Sequence, residues 1–165
     1  MILYESKIST VTKIGNYVEK VFHKPFLFDY PNNWLRTYDD FCSFSQYPVK
    51  VHEVSKTKIV MDYVDGIPLN VYTRTNNSPK DCITITSQIM DMLNDSFEFA
   101  KNCKDFTIHN DFAGSNIIIQ SDGSMVLIDP DSFTSMGVFD FYGAIRAIQY
   151  MSSHYTKSVI YNTIS

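Results

Sequence analysis

The alternation of apolar and polar residues predicts that the first half of the chain is built mainly from strands. The segments "STVTKI" and "YVEKVF" are rich in β-branched and aromatic residues, and Gly15-Asn16 between them suits a two-residue hairpin turn. The apolar "ILY" before them predicts another strand, with "ESKIS" as the connecting loop. Further along, "VKVHEV" and "KIVMDYV" predict two more strands, which the polar turn "SKTK" joins.

Three other segments have the periodicity of helices. The first lies within "YPNNWLRTYDDFCSFSQYP", and we expect Asn32 or Asn33 to cap its N-terminus. The longest runs from Ile83 to about Lys101. Its apolar positions recur at every fourth residue, at Ile85, Ile89, Leu93 and Phe97. The third is "FDFYGAIRAIQYMSS", whereas the polar stretch "NVYTRTNNSPKD" predicts a loop before the longest helix.

A second hairpin is predicted after the longest helix. The segments "NIIIQ" and "SMVLID" read as strands on either side of a turn at Ser121-Asp122-Gly123. The chain therefore has a strand-rich front half and a helix-rich back half that contains one small hairpin. This order is typical of an α+β protein with two lobes, which we expect to join near Asp62 to Gly66.

The composition excludes several classes of protein. Of the 165 residues 44% are hydrophobic, which is typical of a globular domain rather than of a disordered segment. With 14 basic and 18 acidic residues the net charge is −4, so we expect neither nucleic acid nor a membrane surface as a partner. No stretch resembles a signal peptide or a membrane span. The three cysteines form no Cys-x-x-Cys pair, which favours a reduced, cytoplasmic protein.

The polar run "TIHNDFAGSNIII" directly precedes an apolar strand and contains the strongest candidate for a site. Asp111 and Asn116 are five positions apart, and Asp129 in "LIDPD" follows Asp111 by eighteen positions. Asp and Asn cap turns routinely, and that is the simplest explanation for each of them alone. Together, however, they have the spacing of a kinase catalytic loop, His-x-Asp-x-x-x-x-Asn, followed by a metal-binding aspartate.

The stretch "HNDFAGSNIII…VLIDPD" resembles the choline kinase and aminoglycoside phosphotransferase branch of the protein-kinase-like superfamily. The resemblance implies a bilobal protein-kinase-like fold. Residues 1–64 would form the nucleotide-binding N-lobe, a small antiparallel sheet that ends in a hinge. Residues 65–165 would form a reduced helical C-lobe with the catalytic hairpin. Members of the superfamily usually continue into a larger helical substrate region, so this would be a shortened form.

The resemblance also implies the catalytic and metal-binding residues. Asp111 would orient the attacking hydroxyl or accept its proton, and Asn116 and Asp129 would hold Mg²⁺ against the phosphates of ATP. Lys20, in "YVEKVF", stands where the family has the lysine that pairs with the α- and β-phosphates. ATP and Mg²⁺ are therefore the expected cofactors.

Two further segments would contact the nucleotide. The loop "YESKIS" would cover the phosphates, and because it contains no glycine the hydroxyls of Ser6 and Ser9 would supply donors. The segment "VMDYVDGIPL" resembles the hinge between lobes, where the backbone of Asp62, Tyr63 and Val64 would bind the edge of adenine.

Several side chains would support the site. His109 would brace the catalytic loop, and Asp140 at the start of the last helix would hold that loop from below. The first helix has no glutamate to pair with the lysine; Asp39 or Asp40 either serves instead or lies on a solvated helix face. Asp131 is either a second metal contact or a cap at the end of the hairpin.

Two functions are compatible with these patterns. The first is an ATP- and Mg²⁺-dependent phosphotransferase that moves the γ-phosphate to a hydroxyl of a protein or a small molecule. A partner protein could then complete the shortened C-lobe. The second is a non-catalytic kinase-like module that binds nucleotide, a partner protein or both. The three polar residues at kinase spacing favour the first, whereas the glycine-free loop and the shortened C-lobe favour the second.

Overall fold

The computed structural model describes residues 1–24, 31–75, 78–103 and 113–132 and has an α+β architecture. Within these ranges it contains a five-stranded sheet, a three-stranded sheet and three α-helices. No helix in the described part of the chain combines the length and the apolar character that crossing a membrane requires. The predicted last helix lies outside the described residues, and the division into residues 1–64 and 65–165 stays a prediction.

The five-stranded sheet is antiparallel throughout, with the order β1-β2-β3-β5-β4. Its strands are β1 Ile2–Glu5, β2 Ser9–Ile14, β3 Tyr17–Phe22, β4 Val51–Val54 and β5 Lys58–Asp62. The predicted hairpin at Gly15-Asn16 is confirmed, and Gly15 has the positive φ of 61° that such a turn requires. The sequence thus predicted all five strands.

Helix α1 spans Pro31–Phe44, and the predicted cap at Asn32 or Asn33 is wrong. Both asparagines lie inside the helix, because Pro31 is its first residue. Proline is favoured there, since its fixed φ suits the helix and the first turn does not need its missing N–H. The apolar face of α1 is buried, and Trp34 stacks on Tyr38 with ring centroids 4.8 Å apart.

The polar stretch predicted as a loop contains a second helix, α2 Leu69–Thr75. It packs against the second sheet through the buried side chain of Leu69, and this tertiary contact outweighs its weak helix propensity. The longest helix, α3 Pro79–Asn102, starts four residues earlier than predicted. Ser78 caps it by accepting a hydrogen bond from the N–H of Asp81 at 3.1 Å.

The buried face of α3 differs from the predicted stripe. Phe97 is 39% exposed, whereas Met92, Ser96 and Ala100 lie in the core together with Ile89. Steps of four residues advance by about 400° around a helix with 3.6 residues per turn, so a strict every-fourth stripe drifts away from the core. A step of three, from Ile89 to Met92, brings the buried row back towards the core.

The second sheet has the order β6-β7-β8 and contains the predicted second hairpin, which is confirmed. Its strands are β6 Ile67–Pro68, β7 Ile117–Ile119 and β8 Met125–Leu127, and a 3₁₀ turn Pro130–Ser132 follows β8. The two-residue strand β6 was not predicted. It lies so close to β7 that a Cβ on Gly66 would stand 2.3 Å from the carbonyl oxygen of Ile119.

The segment before β4 joins the two sheets. Leu127 in β8 donates its N–H to Tyr47 at 2.7 Å and accepts one from Val49 at 2.9 Å, so this segment runs parallel to β8. The Tyr38 hydroxyl of α1 donates to the Val49 carbonyl at 2.9 Å. Buried side chains of both sheets, α1 and α3 form one continuous core. The end of β8 is therefore held against the inner face of the five-stranded sheet.

Candidate functional site

Lys20 occupies an inward position of a strand that otherwise buries apolar residues. Along β3 the side chains of Val18, Lys20 and Phe22 alternate towards the core, and Lys20 is only 9% exposed. A buried ammonium group is costly unless carboxylates pair with it. The position of Lys20 therefore requires acidic partners from another part of the chain.

Those partners come from the residues that follow β8. The ammonium nitrogen of Lys20 donates to Oδ1 of Asp129, and to Oδ1 and Oδ2 of Asp131 at 2.8 Å and 3.0 Å. Asp129 has a φ of 70°, which is uncommon for a residue other than glycine. The chain then turns through Pro130 into the 3₁₀ turn, which brings Asp131 back to the same ammonium group.

The three charges perturb one another. Burial by itself lowers the pKa of Lys20, but the charges of Asp131 and Asp129 outweigh it and raise that pKa above its ordinary 10.5. Burial, followed by the charge of Asp129, raises the pKa of the Asp131 carboxyl from 3.8 to about 6. The two carboxylates share one ammonium and repel each other, and Asp131 is the more buried of the two. Clusters of this kind occur at functional sites and in structural ion-pair networks alike.

Asn116 lies at the same end of the hairpin as Asp129. The Ile128 N–H donates to the carbonyl of Asn116 at 2.8 Å, so Asn116 stands opposite the residue that precedes Asp129. The Asn116 N–H in turn donates to the carbonyl of Ala113 at 2.9 Å, which closes a turn before β7. The structure therefore brings Lys20, Asp129 and the backbone of Asn116 to one end of the hairpin.

The other predicted nucleotide contacts are less open to a ligand. Ser6 closes its own turn, because its hydroxyl accepts the N–H groups of Ile8 and Ser9 at 3.1 Å and 3.0 Å. It also donates to the carbonyl of Ser9 at 3.2 Å, and Ser9 is buried. Ser9 lies opposite Phe22 in the sheet register, so it is on the same face as Lys20.

Two of the three predicted hinge residues use their N–H groups within the protein. Asp62 donates its N–H to the Lys50 carbonyl at 2.9 Å, and Tyr63 donates to the Asn16 carbonyl at 2.8 Å. That leaves the N–H of Val64 as the candidate donor for an adenine edge among these three described residues. The ammonium of Lys13 stands 3.3 Å from the centroid of the Tyr63 ring.

Three predicted residues, Asp111, His109 and Asp140, lie outside the described residues. Asp39 and Asp40, the proposed helix partners of Lys20, are exposed on α1, as a solvated helix face would be. We did not predict that Asp131 pairs with Lys20 in their place. The "DPD" motif at the end of a strand was the available signal, because proline positions its neighbours rigidly.

The donor chemistry at the end of the hairpin fits Mg²⁺. The Asp129 carboxylate and the Asn116 amide are hard oxygen donors of the kind that Mg²⁺ prefers. In the part of the chain that the structure describes, no group of three or more His, Cys, Asp or Glu side chains is arranged to hold a metal ion. Mg²⁺ usually takes six oxygen ligands, so a metal held by these two side chains would take further oxygens from other groups, such as phosphates or water.

The sequence matches no protein-family model, and none of the curated proteins matches it.

Proposed function

We propose that this protein is an ATP- and Mg²⁺-dependent phosphotransferase with a two-lobed, kinase-like fold, acting in the cytoplasm on a hydroxyl of a protein or small molecule. The observation that supports it best is the contact between Lys20 and Asp129, which are 109 positions apart in the chain. In protein kinases a lysine on the third strand and an aspartate after the catalytic loop serve the same phosphates. Lys20 likewise lies on the third strand, and Asp129 follows the predicted loop.

Each residue has a defined part in the proposed reaction. Lys20 would bind the α- and β-phosphates, and the N–H of Val64 would bind adenine. Asn116 and Asp129 would hold Mg²⁺, which neutralises charge on the phosphates when bound. Asp111 would orient the acceptor hydroxyl and take its proton as the oxygen attacks the γ-phosphorus and the bond to the β-phosphate breaks.

The geometry of the loop Ser6–Ser9 favours a second candidate, a module that binds nucleotide or a partner without transferring phosphate. Backbone N–H groups of such a loop normally surround the phosphates. Here the Ser6 hydroxyl occupies those of Ile8 and Ser9. Fewer donors for the γ-phosphate would reduce transfer more than binding.

The experiment that tests the proposal measures binding and transfer separately. Titration calorimetry with Mg²⁺ and ATP gives the affinity, and radiolabelled γ-phosphate gives ATP turnover and transfer to hydroxyl acceptors. We expect Asp129→Asn to weaken binding of the metal–nucleotide pair. Asp111→Ala should keep binding and lower transfer by about 100-fold or more, as loss of a general base does. The exposed Asp91→Asn, with the same change of charge, is the matched control.

The outcomes separate the two candidates. Binding without turnover in the wild type would exclude the enzyme and leave the module. If the wild type bound no nucleotide at any Mg²⁺ concentration, the enzyme would be excluded, and of the second candidate only a module that binds a partner would remain. If Asp129→Asn and Asp111→Ala behaved like Asp91→Asn in an active protein, the assignment of residues would be wrong.

A further inference from the structure

Asp131 makes a bidentate contact with Lys20 that the proposed function does not yet use. In protein kinases the corresponding lysine pairs with a glutamate from a helix, and this ion pair must be in place for activity. We propose that Asp131 is the positioning residue for the Lys20 ammonium, so that the hairpin, and not helix α1, supplies this carboxylate. The inference rests on the proposed function, because it concerns the same lysine.

Helix α1 offers no carboxylate to Lys20 among its described side chains. The face that α1 turns to the core consists of aromatic residues, among them Trp34, Tyr38 and Phe41. Its two acidic residues, Asp39 and Asp40, are both exposed. A lysine buried beside such a face has to find its counter-charge elsewhere, and Asp131 provides two oxygens within 3.0 Å.

The two carboxylates around Lys20 differ in a way that separates their roles. The side chain of Asp129 is 28% exposed, whereas that of Asp131 is 10% exposed. A metal–nucleotide complex arriving from solvent can therefore reach Asp129 more easily. Asp131 is enclosed, and both of its oxygens already bind the ammonium. This geometry suits Asp131 to hold Lys20 in place and suits Asp129 to bind the metal.

The connection between the two aspartates makes this arrangement rigid. Pro130 between them is fully buried and begins the 3₁₀ turn. Proline fixes its own φ, which restricts how far the two aspartates can move relative to each other. The position of Lys20 is thereby tied to the metal-binding aspartate, and the site does not need a movement of α1 to assemble.

The first test probes the ion pair without any nucleotide. Acylation of the protein with acetic anhydride, followed by peptide mass spectrometry, reports how accessible and how basic each lysine is. We expect Lys20 to be protected in the wild type and to be acylated several-fold faster in Asp131→Asn, relative to the exposed Lys56 as internal reference. Asp40→Asn on α1 is the matched control and should leave Lys20 protected. Equal labelling in Asp131→Asn and the wild type would overturn the inference.

The second test separates positioning from metal binding. In the transfer assay, Asp131→Asn should lower kcat by about 10- to 100-fold, as a misplaced reacting group does. The Mg²⁺ concentration for half-maximal rate should stay within about twofold, and Asp131→Glu should restore part of the rate, because it keeps the charge. A higher Mg²⁺ requirement, with the rate recovered at saturating Mg²⁺, would identify Asp131 as a metal ligand and overturn the inference.

The two proposals fail in different ways. If the wild type binds no Mg²⁺–ATP, the proposed function is wrong, and faster acylation in Asp131→Asn then reports only a structural ion pair. If the wild type is active and Asp131→Asn retains its kcat, the proposed function stands and the positioning role is wrong. Melting temperatures of all variants show whether lost activity is lost folding, and Asp131→Glu serves where Asp131→Asn unfolds.

Discussion

Lys20 is a buried charge at the candidate site, and burying an ammonium group is costly unless carboxylates pair with it. Its ammonium is held inside an otherwise apolar row of β3, and it is tolerated there because the carboxylates of Asp129 and Asp131 accept hydrogen bonds from it. Removing one partner of a buried ion pair costs more than the pair contributes, since the remaining charges are left without compensation. The same cluster can therefore be probed through stability, independently of any ligand.

The first prediction is that Lys20→Met destabilises the fold strongly. We expect the free energy of unfolding in urea to fall by about 3–5 kcal/mol at pH 8, because Asp129 and Asp131 remain as unpaired charges. The loss should be smaller at pH 5, since the pKa of Asp131 is already about 6 and a protonated carboxyl carries no charge to leave uncompensated. Lys56→Met, at an exposed position, should change stability by less than about 0.5 kcal/mol.

A triple variant completes this test. If Lys20→Met is combined with Asp129→Asn and Asp131→Asn, the uncompensated charges disappear and much of the lost stability should return. A triple variant that is no more stable than Lys20→Met would show that the loss comes from packing of the lysine chain and not from the charges.

Residue patterns predicted part of this site and missed the rest for a physical reason. Lys20 and Asp129 were both expected at one nucleotide site, because the sequence resembles a kinase family in which the corresponding residues serve the same phosphates, but their direct contact was not predicted. The direction in which the Asp131 side chain points could not be predicted. It depends on the positive φ of Asp129 and on the turn that follows, and aspartate tolerates a positive φ without requiring one, so its residue type does not specify the turn.

Among the elements, those with a clear apolar pattern or a turn signature were predicted, whereas α2 and β6 were not. The five strands of the first sheet and the hairpin of β7 and β8 follow from alternation and from turn residues. The seven residues of α2 and the two of β6 are too few to show a period. Both are held by contacts with β7, which is far away in the sequence, so local propensity could not indicate them.

The second prediction concerns the contact between β6 and β7. Gly66→Ala should lower the free energy of unfolding by about 3 kcal/mol, since the new Cβ would overlap the backbone of the neighbouring strand. That Cβ would stand 2.3 Å from the Ile119 carbonyl oxygen and 2.7 Å from a methyl group of Ile118. Amide exchange at Ile67 and Ile119 should accelerate as the strands separate.

Gly15→Ala is the matched control for this substitution. Gly15 has a φ of 61°, but its Cβ would meet no atom within 4 Å, so only backbone strain of about 1–2 kcal/mol is expected. If Gly66→Ala were as mild as Gly15→Ala, β6 would be free to move away from β7, and the close approach would have no structural importance.

At the scale of the whole molecule, the described elements share one core although they form two sheets. The buried residues of the first sheet, α1, α3 and the hairpin are in continuous contact. The segment Tyr47–Val49 bonds to β8 on one side and leads directly into β4 on the other. If the hairpin detached from the first sheet, Tyr38 and Lys20 would therefore lose contacts as well.

The third prediction follows from that shared core: the described elements should unfold in one transition. Trp34, the single tryptophan, is buried on α1 and reports the first sheet and its helix by fluorescence. Global exchange of the β7 amides reports the hairpin. In increasing urea both probes and far-UV circular dichroism should give the same midpoint, as expected of a cooperative two-state domain.

If the hairpin lost its exchange protection at a lower urea concentration than the Trp34 transition, the hairpin and the first sheet would fold separately. The ion pair of Lys20 would then connect two separately folding lobes without stabilising the contact between them. Asp131→Asn discriminates further, because weakening a pair within one cooperative unit lowers both midpoints together, whereas weakening a pair between independent lobes leaves the Trp34 midpoint unchanged.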